Sequence, residues 1–384
     1  MKKIVIIGAG ISGLFFANLL RQNIDYDITI YEKNNFIKLE KGYGIQLSVN
    51  SIKLLNKIGF NNLNPLTKFN PIKLDFYSLK NKKKICDLNI SGFNTEDEKY
   101  TTLKRSVLME FLKEKLPNNV IQYNKKIKQI DSKKETIKLI MEDNSIIECD
   151  YLIVSDGVFS STKLLVTKRN VKQKYSNLIA VRGTIDKKNI RDIDYNNISL
   201  LLGSDLHSVI YPVNKSNEFN FITILKKNLT KNELGNYRLF KDSKFLSLIL
   251  KKILIQVDQN ILNNIKNIKC FPIFVSNKIY THEHKKIFII GDAFFAFPPT
   301  FAQGATQSIE ASYELYKMFE NNGSEFLKKR SKRIKMINRR SRFNNFVFHL
   351  SNPVIIFIRD ILMKYLVKNK RFLNGYLGKI YNNK

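Results

Sequence analysis

The chain of 384 residues has no tryptophan, three cysteines, four histidines and eight prolines, and it sets 33 acidic residues against 65 basic ones. Each shortage excludes something. Cys86, Cys149 and Cys270 stand far apart, with no paired spacing for zinc or for a disulfide framework, so they fit a reducing, cytoplasmic compartment. His282-Glu283-His284 invites a metal, but with no third ligand nearby it reads as a surface turn, and no metal is expected. The most apolar late stretch, Pro353 to Ile358, is closed by Arg359-Asp360 and is too short to span a membrane. Met1-Lys2-Lys3 and the uncharged run from Ile4 to Leu20 imitate a secretory signal. Three glycines interrupt that run, and no small-x-small cleavage site precedes Arg21. The deficit of acids leaves a net charge of +32, but the lysines are scattered among Asn and Ile along the whole chain. That pattern suits solvated faces, whereas a nucleic-acid binder clusters its cations to neutralise phosphates, so no nucleic-acid partner is expected.

What is present is ordinary globular material, 43% hydrophobic and 26% charged, in a chain long enough for two packed domains. Residues 3 to 33 read as strand, glycine turn, helix and strand. The β-branched run Ile4 to Ile7 belongs to a parallel strand buried on both faces. From Lys73 to Ile90 and from Leu178 to Lys226 the pattern becomes alternating strands with Asn/Lys turns, the signature of an antiparallel sheet. Between them come a helix, Ser106 to Leu116, two short strands and the buried strand Asp150 to Ser155. The expected fold is therefore α/β: a Rossmann-like three-layer domain interleaved with an antiparallel-sheet domain, followed by helices. The nucleotide domain takes residues 1–72, 101–174 and 276–323, the second domain 73–100 and 175–275, and the basic C-terminal helices 324–384.

Gly8-Ala9-Gly10-Ile11-Ser12-Gly13 follows a strand and opens a helix, where the dinucleotide fingerprint requires it. Gly8 permits the tight turn, Gly10 admits a pyrophosphate to the backbone, Gly13 allows close helix–strand packing, and Ser12 lies in the same helix start. Glu32, with Lys33 beside it, ends the following strand, where a carboxylate accepts from the adenosine ribose. This first motif does not separate FAD from NAD. The second does: the strand Lys286 to Ile290 ends in Gly291-Asp292 and leads through Pro298-Pro299 to Gln303-Gly304-Ala305. Asp292 can accept from the hydroxyls of a ribityl chain. The Gly304-Ala305 pair opens a helix whose positive end suits the flavin edge that becomes anionic on reduction.

With these motifs in order along nearly the whole chain, the sequence resembles the single-component FAD-dependent aromatic hydroxylases, the family of salicylate and para-hydroxybenzoate hydroxylase-like enzymes. The segment Gly42 to Asn50, with Gln46, is similar to that family's flavin-lining GxGIQLxxN segment. Arg105 matches its cofactor-contacting arginine, Asp156-Gly157 its DG motif, and Ala302 to Glu310 its last signature. The chain departs from the family at Phe295 in place of His, Lys163 in place of Arg, and Ala311 in place of a frequent Asp. The resemblance implies FAD as cofactor, NAD(P)H as co-substrate, and hydroxylation by O2 of an aromatic or conjugated small molecule through a flavin hydroperoxide. The alternative is an FAD-dependent dehydrogenase, reductase or cyclase of an isoprenoid or quinone-like substrate. Flavin halogenases drop out, since their tryptophan-containing signature is absent.

Substrate-side candidates come from the sheet. Arg182, expected just after a strand, could pair with a carboxylate. His207 and Tyr211 lie on a strand that matches the family's substrate-side YP segment, and Pro298 shapes the approach to the flavin. A monomer or homodimer is expected. Lys328 to Arg342 is dense in Lys and Arg without an acid, and an amphipathic stretch runs from Phe343 to Tyr365. Two readings stay open there: a helix packed across the back of the nucleotide domain, or a basic helix making peripheral contact with anionic lipid.

Overall fold

The strand Lys2–Ile7 places Ile4 and Ile6 in one core cluster and Val5 and Ile7 in another, so both faces of the strand are covered. That two-sided burial is why the run is apolar without alternation. The structure, a computed structural model, describes residues 1–37, 39, 43–132, 136–168, 173–280, 284–321 and 325–381. Gly42, His282 and Glu283 of the segments above lie outside the described residues. Five parallel strands run in the order Ile287–Ile289, Tyr151–Val154, Lys2–Ile7, Tyr26–Tyr31 and Ile121–Gln122. On the Ile4/Ile6 face pack the helices Ile11–Leu20, Arg105–Glu114 and Gly304–Asn321. On the Val5/Ile7 face packs a three-stranded antiparallel sheet of Ile127–Asp131, Ile137–Met141 and Ile146–Cys149. This is the expected three-layer, Rossmann-like arrangement, with four strands instead of two between the helix Arg105–Glu114 and the strand Tyr151–Val154.

The second sheet has seven strands in the order Lys266–Val275, Lys174–Asp186, Glu218–Lys226, Leu206–Pro212, Ile198–Leu202, Lys73–Ser78 and Lys84–Asn89. It is antiparallel with one exception: Ile198–Leu202 runs parallel to Lys73–Ser78, Leu200 facing Phe76. The chain leaves this sheet after Lys84–Asn89 to build the parallel sheet, and a return that long has no need of a hairpin. Arg182 lies within the strand Lys174–Asp186 and not after it, because that strand is 13 residues long and pairs on both sides. Helices Ser243–Leu254 and Gln259–Asn263 cover one face of the sheet; its other face looks toward the C-terminal helices Phe326–Phe348 and Pro353–Leu366.

The C-terminal helices are tied to the nucleotide side by buried charge. Arg330, 1% exposed, contacts Glu310 and Glu314 at 3.3 and 3.2 Å, and Arg333 reaches Glu310 at 2.6 Å. Arg333 also donates to the carbonyls of Lys379 and Ile380, so the last turn is held in the same cluster. Three of the nine basic residues between Lys328 and Arg342, namely Arg330, Arg333 and Arg340, are buried or partly buried, and the rest face solvent.

Candidate active site

Two cavities open along the carboxyl ends of the parallel strands, where ligands of open α/β sheets bind. The first, about 300 Å³, is lined by Gly8, Gly10, Glu32, Lys33, Arg105, Asp156 and Gly157. The glycine turn is shaped by close packing from behind. Gly8 has φ +99°, and a Cβ there would lie 2.8 Å from the Asp156 Cα and the Ser155 carbonyl. The Ser155 hydroxyl donates to the Ile7 and Gly8 carbonyls at 2.9 and 3.1 Å, locking the two strand ends together. On the open side, Gly10 begins the helix Ile11–Leu20 with no side-chain cap, so the first backbone N–H groups face the cavity rim. Glu32 accepts from Ala9 N–H and Asn34 N–H, both at 3.0 Å, which fixes its carboxylate beside the turn. Asp156 Oδ1 is buried without a hydrogen-bond partner among the described residues. Together these are the donors and acceptors that an ADP moiety satisfies. Ser12 and Gly13 line neither cavity; they stand behind the turn, where the Ser12 carbonyl accepts from Ser312.

The second cavity, about 460 Å³, is walled mainly by apolar groups such as Phe76, Leu200, Val209 and Phe301. Gln46, Arg182, His207, Tyr211, Asp292, Pro298, Gln303, Gly304 and Ala305 all line it, bringing the second sequence motif, the Gln46 segment and the sheet candidates into one chamber. The two cavities are continuous in the chain at Gly157 and Val158, one on each lining. Convergence of the two nucleotide-side strand ends is direct. Gly291, at φ +61°, is pressed on the glycine-turn helix so closely that a Cβ would come within 2.0 Å of Ser12 Oγ. Asp292 is thereby aimed into the chamber. Protein surrounds it and pushes its carboxyl up to about 6, against the pull of the Arg105 guanidinium, while its side chain is open to the cavity. Such a carboxylate is suited to accept hydroxyl hydrogen bonds once water is displaced.

Arg182 is the most telling side chain. Burial lowers its guanidinium from the usual value, its Nε has no hydrogen-bond partner among the described residues, and the rings of Phe271 and Tyr43 lie 5.6 and 5.9 Å away. A guanidinium held over aromatic faces keeps some compensation, but its fork is left to meet an anion inside the chamber. Tyr43 was not singled out by sequence; burial pushes its hydroxyl up to about 12, and that oxygen also lacks a partner among the described residues.

Gln46 organises two tyrosines. Tyr100 donates to Gln46 Oε1 at 2.8 Å, which leaves the Gln46 amide to donate to Tyr211. Burial keeps Tyr211 well above its ordinary pKa, so it remains protonated with its O–H free to donate into the chamber. His207 is 2% exposed and forms the far wall; its Nδ1 lies 2.9 Å from His349 Nε2, which also lies 3.2 Å from the Ile224 carbonyl. With the His349 hydrogen assigned to Nε2, where it meets the Ile224 carbonyl, His207 accepts at Nδ1 and carries its own hydrogen on Nε2. Burial first, and His349 second, hold His207 well below its normal pKa. It is therefore a neutral donor and not a charged acid.

The C-terminal helices close the chamber with Phe348, Met363, Val367 and Tyr376. No local motif marks these residues as lining a cavity; their period is that of any amphipathic helix. Phe295 and Lys163 are both buried, Phe295 against Phe297 at 5.1 Å and Lys163 with its ammonium 5.8 Å from the Tyr280 ring.

The chain matches the family model described as FAD binding domain over residues 1–322. It is 22% identical to the 6-hydroxynicotinate 3-monooxygenase of Bordetella bronchiseptica, over 96% of this chain and 98% of that one. It is 20% identical to the salicylate hydroxylase of Pseudomonas putida, over 84% and 78% of the two chains. Among solved structures, a salicylate hydroxylase substrate complex superposes with a TM-score of 0.79 at 17% identity, covering 99% of this chain and 95% of that one. HpxO of Klebsiella pneumoniae complexed with FAD and uric acid gives 0.77 at 17% identity, over 98% and 95% of the two chains.

Proposed function

The chain belongs to the FAD binding domain family, and from that premise we propose that it is a monooxygenase that hydroxylates an aromatic ring bearing an acidic or phenolic oxygen. The single observation that carries the substrate class is Arg182, a guanidinium with no carboxylate partner among the described residues, in a mainly apolar chamber. The relatives' names agree with that chemistry, since 6-hydroxynicotinate and salicylate are both aromatic acids.

The residues present fit FAD. Gly8, Gly10, Glu32, Lys33, Arg105, Asp156 and Gly157 would hold its ADP half, and Gln46, Asp292, Gln303, Gly304 and Ala305 its flavin half. When bound, FAD supplies the redox chemistry: electrons from NAD(P)H reduce O2, one oxygen atom enters the ring and the other leaves as water. The protein supplies position and a dry site. Arg182 binds the anionic oxygen of the substrate, and the Tyr211 hydroxyl and His207 Nε2–H donate to its remaining polar edge. The apolar walls exclude water from the reacting face. Pro298 shapes the loop between the chamber and the helix Gly304–Asn321. That helix start presents N–H groups to the negative charge that develops on reduction.

The test is direct. The purified protein is expected to be yellow, to release FAD on denaturation, and to consume O2 and NAD(P)H in equal amounts when a hydroxylatable phenolic acid is added, with label from ¹⁸O2 in the product. A yellow protein whose oxygen consumption no aromatic substrate stimulates would favour the dehydrogenase or reductase chemistry instead.

A further inference from the structure

The helix Pro353–Leu366 is built inside out. Its buried residue is a charged one, Arg359, which bonds Asp360 at 2.7 Å and donates to the Val347 carbonyl. Its large apolar side chains point away from the protein: Tyr365 is 72% exposed, Phe357 66%, Val354 66% and Leu362 53%. Phe343 and Phe346, near the end of the preceding helix, are exposed beside it. A globular helix turns its apolar stripe inward, and a contiguous exposed apolar surface of this kind marks an interaction site.

The surroundings decide what covers it. Between residues 326 and 381 there are fifteen Lys and Arg against one acid, and that acid is Asp360, already engaged by Arg359. Arg342, Lys364, Lys368, Lys370 and Arg371 are exposed around the apolar face. Two copies meeting through this face would bring like charges together, whereas a surface of anionic headgroups over an acyl layer complements both the charge and the apolar stripe. No helix among the described residues is long and apolar enough to cross a membrane, so the geometry is that of a helix lying in the interface. Met363, Leu366 and Val367 of the same helix end line the substrate chamber. The wall of the chamber is thus the same element that presents the apolar face.

We propose that the helix Pro353–Leu366, with Phe343 and Phe346, docks on an anionic phospholipid surface, and that the chamber takes from it an aromatic substrate with a lipophilic tail. The acidic or phenolic end meets Arg182 and the tail lies toward Met363 and Val367. The substrate part of this inference rests on the monooxygenase reading; the docking part does not.

The experiment is flotation of the full-length yellow holoprotein with vesicles of phosphatidylcholine alone and of phosphatidylcholine mixed with phosphatidylglycerol. Binding is expected on the anionic vesicles, weakening as salt is raised. Phe357→Asp and Leu362→Asp, both on the exposed face and off the chamber, are each expected to lower it by about tenfold or more while leaving the flavin spectrum and the melting temperature unchanged. Anionic vesicles should also raise turnover of an alkylated phenol over its short-chain analogue in the parent and not in Phe357→Asp. Absence of binding to either vesicle, or binding indifferent to both variants, overturns the proposal. A dimer in sedimentation equilibrium that Phe357→Asp dissolves overturns it in favour of a second copy. A colourless preparation that still floats with anionic vesicles would sink the flavin reading and keep the docking surface; a yellow enzyme active on soluble phenols that never floats would do the reverse.

Discussion

At the residue scale the chamber holds two charged side chains, Arg182 and Asp292, among apolar and neutral polar ones. Arg182→Gln keeps a hydrogen-bonding side chain and removes the charge, so the apparent affinity for an acidic substrate should fall by about ten- to a hundredfold, the worth of a charge-assisted hydrogen bond. Flavin content should be unchanged, and a steady-state KM measured beside the flavin spectrum checks both. Gly8→Ala should act on the cofactor instead, because φ +99° and a backbone contact of 2.8 Å leave no room for a methyl group. The expected outcome is a protein that purifies with little flavin. The histidine pair gives a pH dependence with a definite sign. Burial lowers His349 from 6.5 to about 4, so between those values the unfolded imidazole takes up a proton that the folded one refuses. Its contribution is complete above pH 6.5 and is lost as pH falls toward 4, by up to about 3 kcal/mol. Urea denaturation at pH 7 and 5 should show the loss in the parent, and His349→Gln should reduce it.

Among elements, the junction between the helices Gly304–Asn321 and Phe326–Phe348 rests on Glu310 with Arg330 and Arg333, a cluster in which Glu310 is 1% exposed. Arg330→Ala leaves buried carboxylates short of a partner and should cost about 3–5 kcal/mol. Arg330→Met should cost no less electrostatically, though it keeps the packing. Guanidinium denaturation of the two variants separates charge from volume. The same cluster explains what could be read along the chain and what could not. The basic run from Lys328 to Arg342 is visible as composition, but which of its cations turn inward depends on a glutamate on another helix. Likewise the strand Lys286 to Ile290 and the helix after Gln303 are legible from apolar periodicity and a glycine. The parallel pairing of Ile198–Leu202 with Lys73–Ser78 is not, since it depends on where the chain returns after a long excursion through the other sheet.

For the whole molecule, FAD is expected to join lining residues drawn from seven separate stretches of the chain. Stripping it should lower the melting temperature by about 3 °C or more, because a ligand at a hundred times its Kd stabilises by about 2.7 kcal/mol; calorimetry of holo and stripped protein measures this. The sequence by itself determined the nucleotide-binding strand–turn–helix, the acid at Glu32, the second motif at Asp292 and Gly304, and the alternation of two sheets. Each of these is set by contacts within a few dozen residues, where backbone geometry admits few residue types. Tertiary structure alone decided that Arg182 stands without a carboxylate among the described residues, that Gln46 joins Tyr100 to Tyr211, and that the C-terminal helices wall the chamber while turning their apolar side outward. Those properties belong to the space between distant segments, and spacing along a chain carries no information about which side chains will face one another across it.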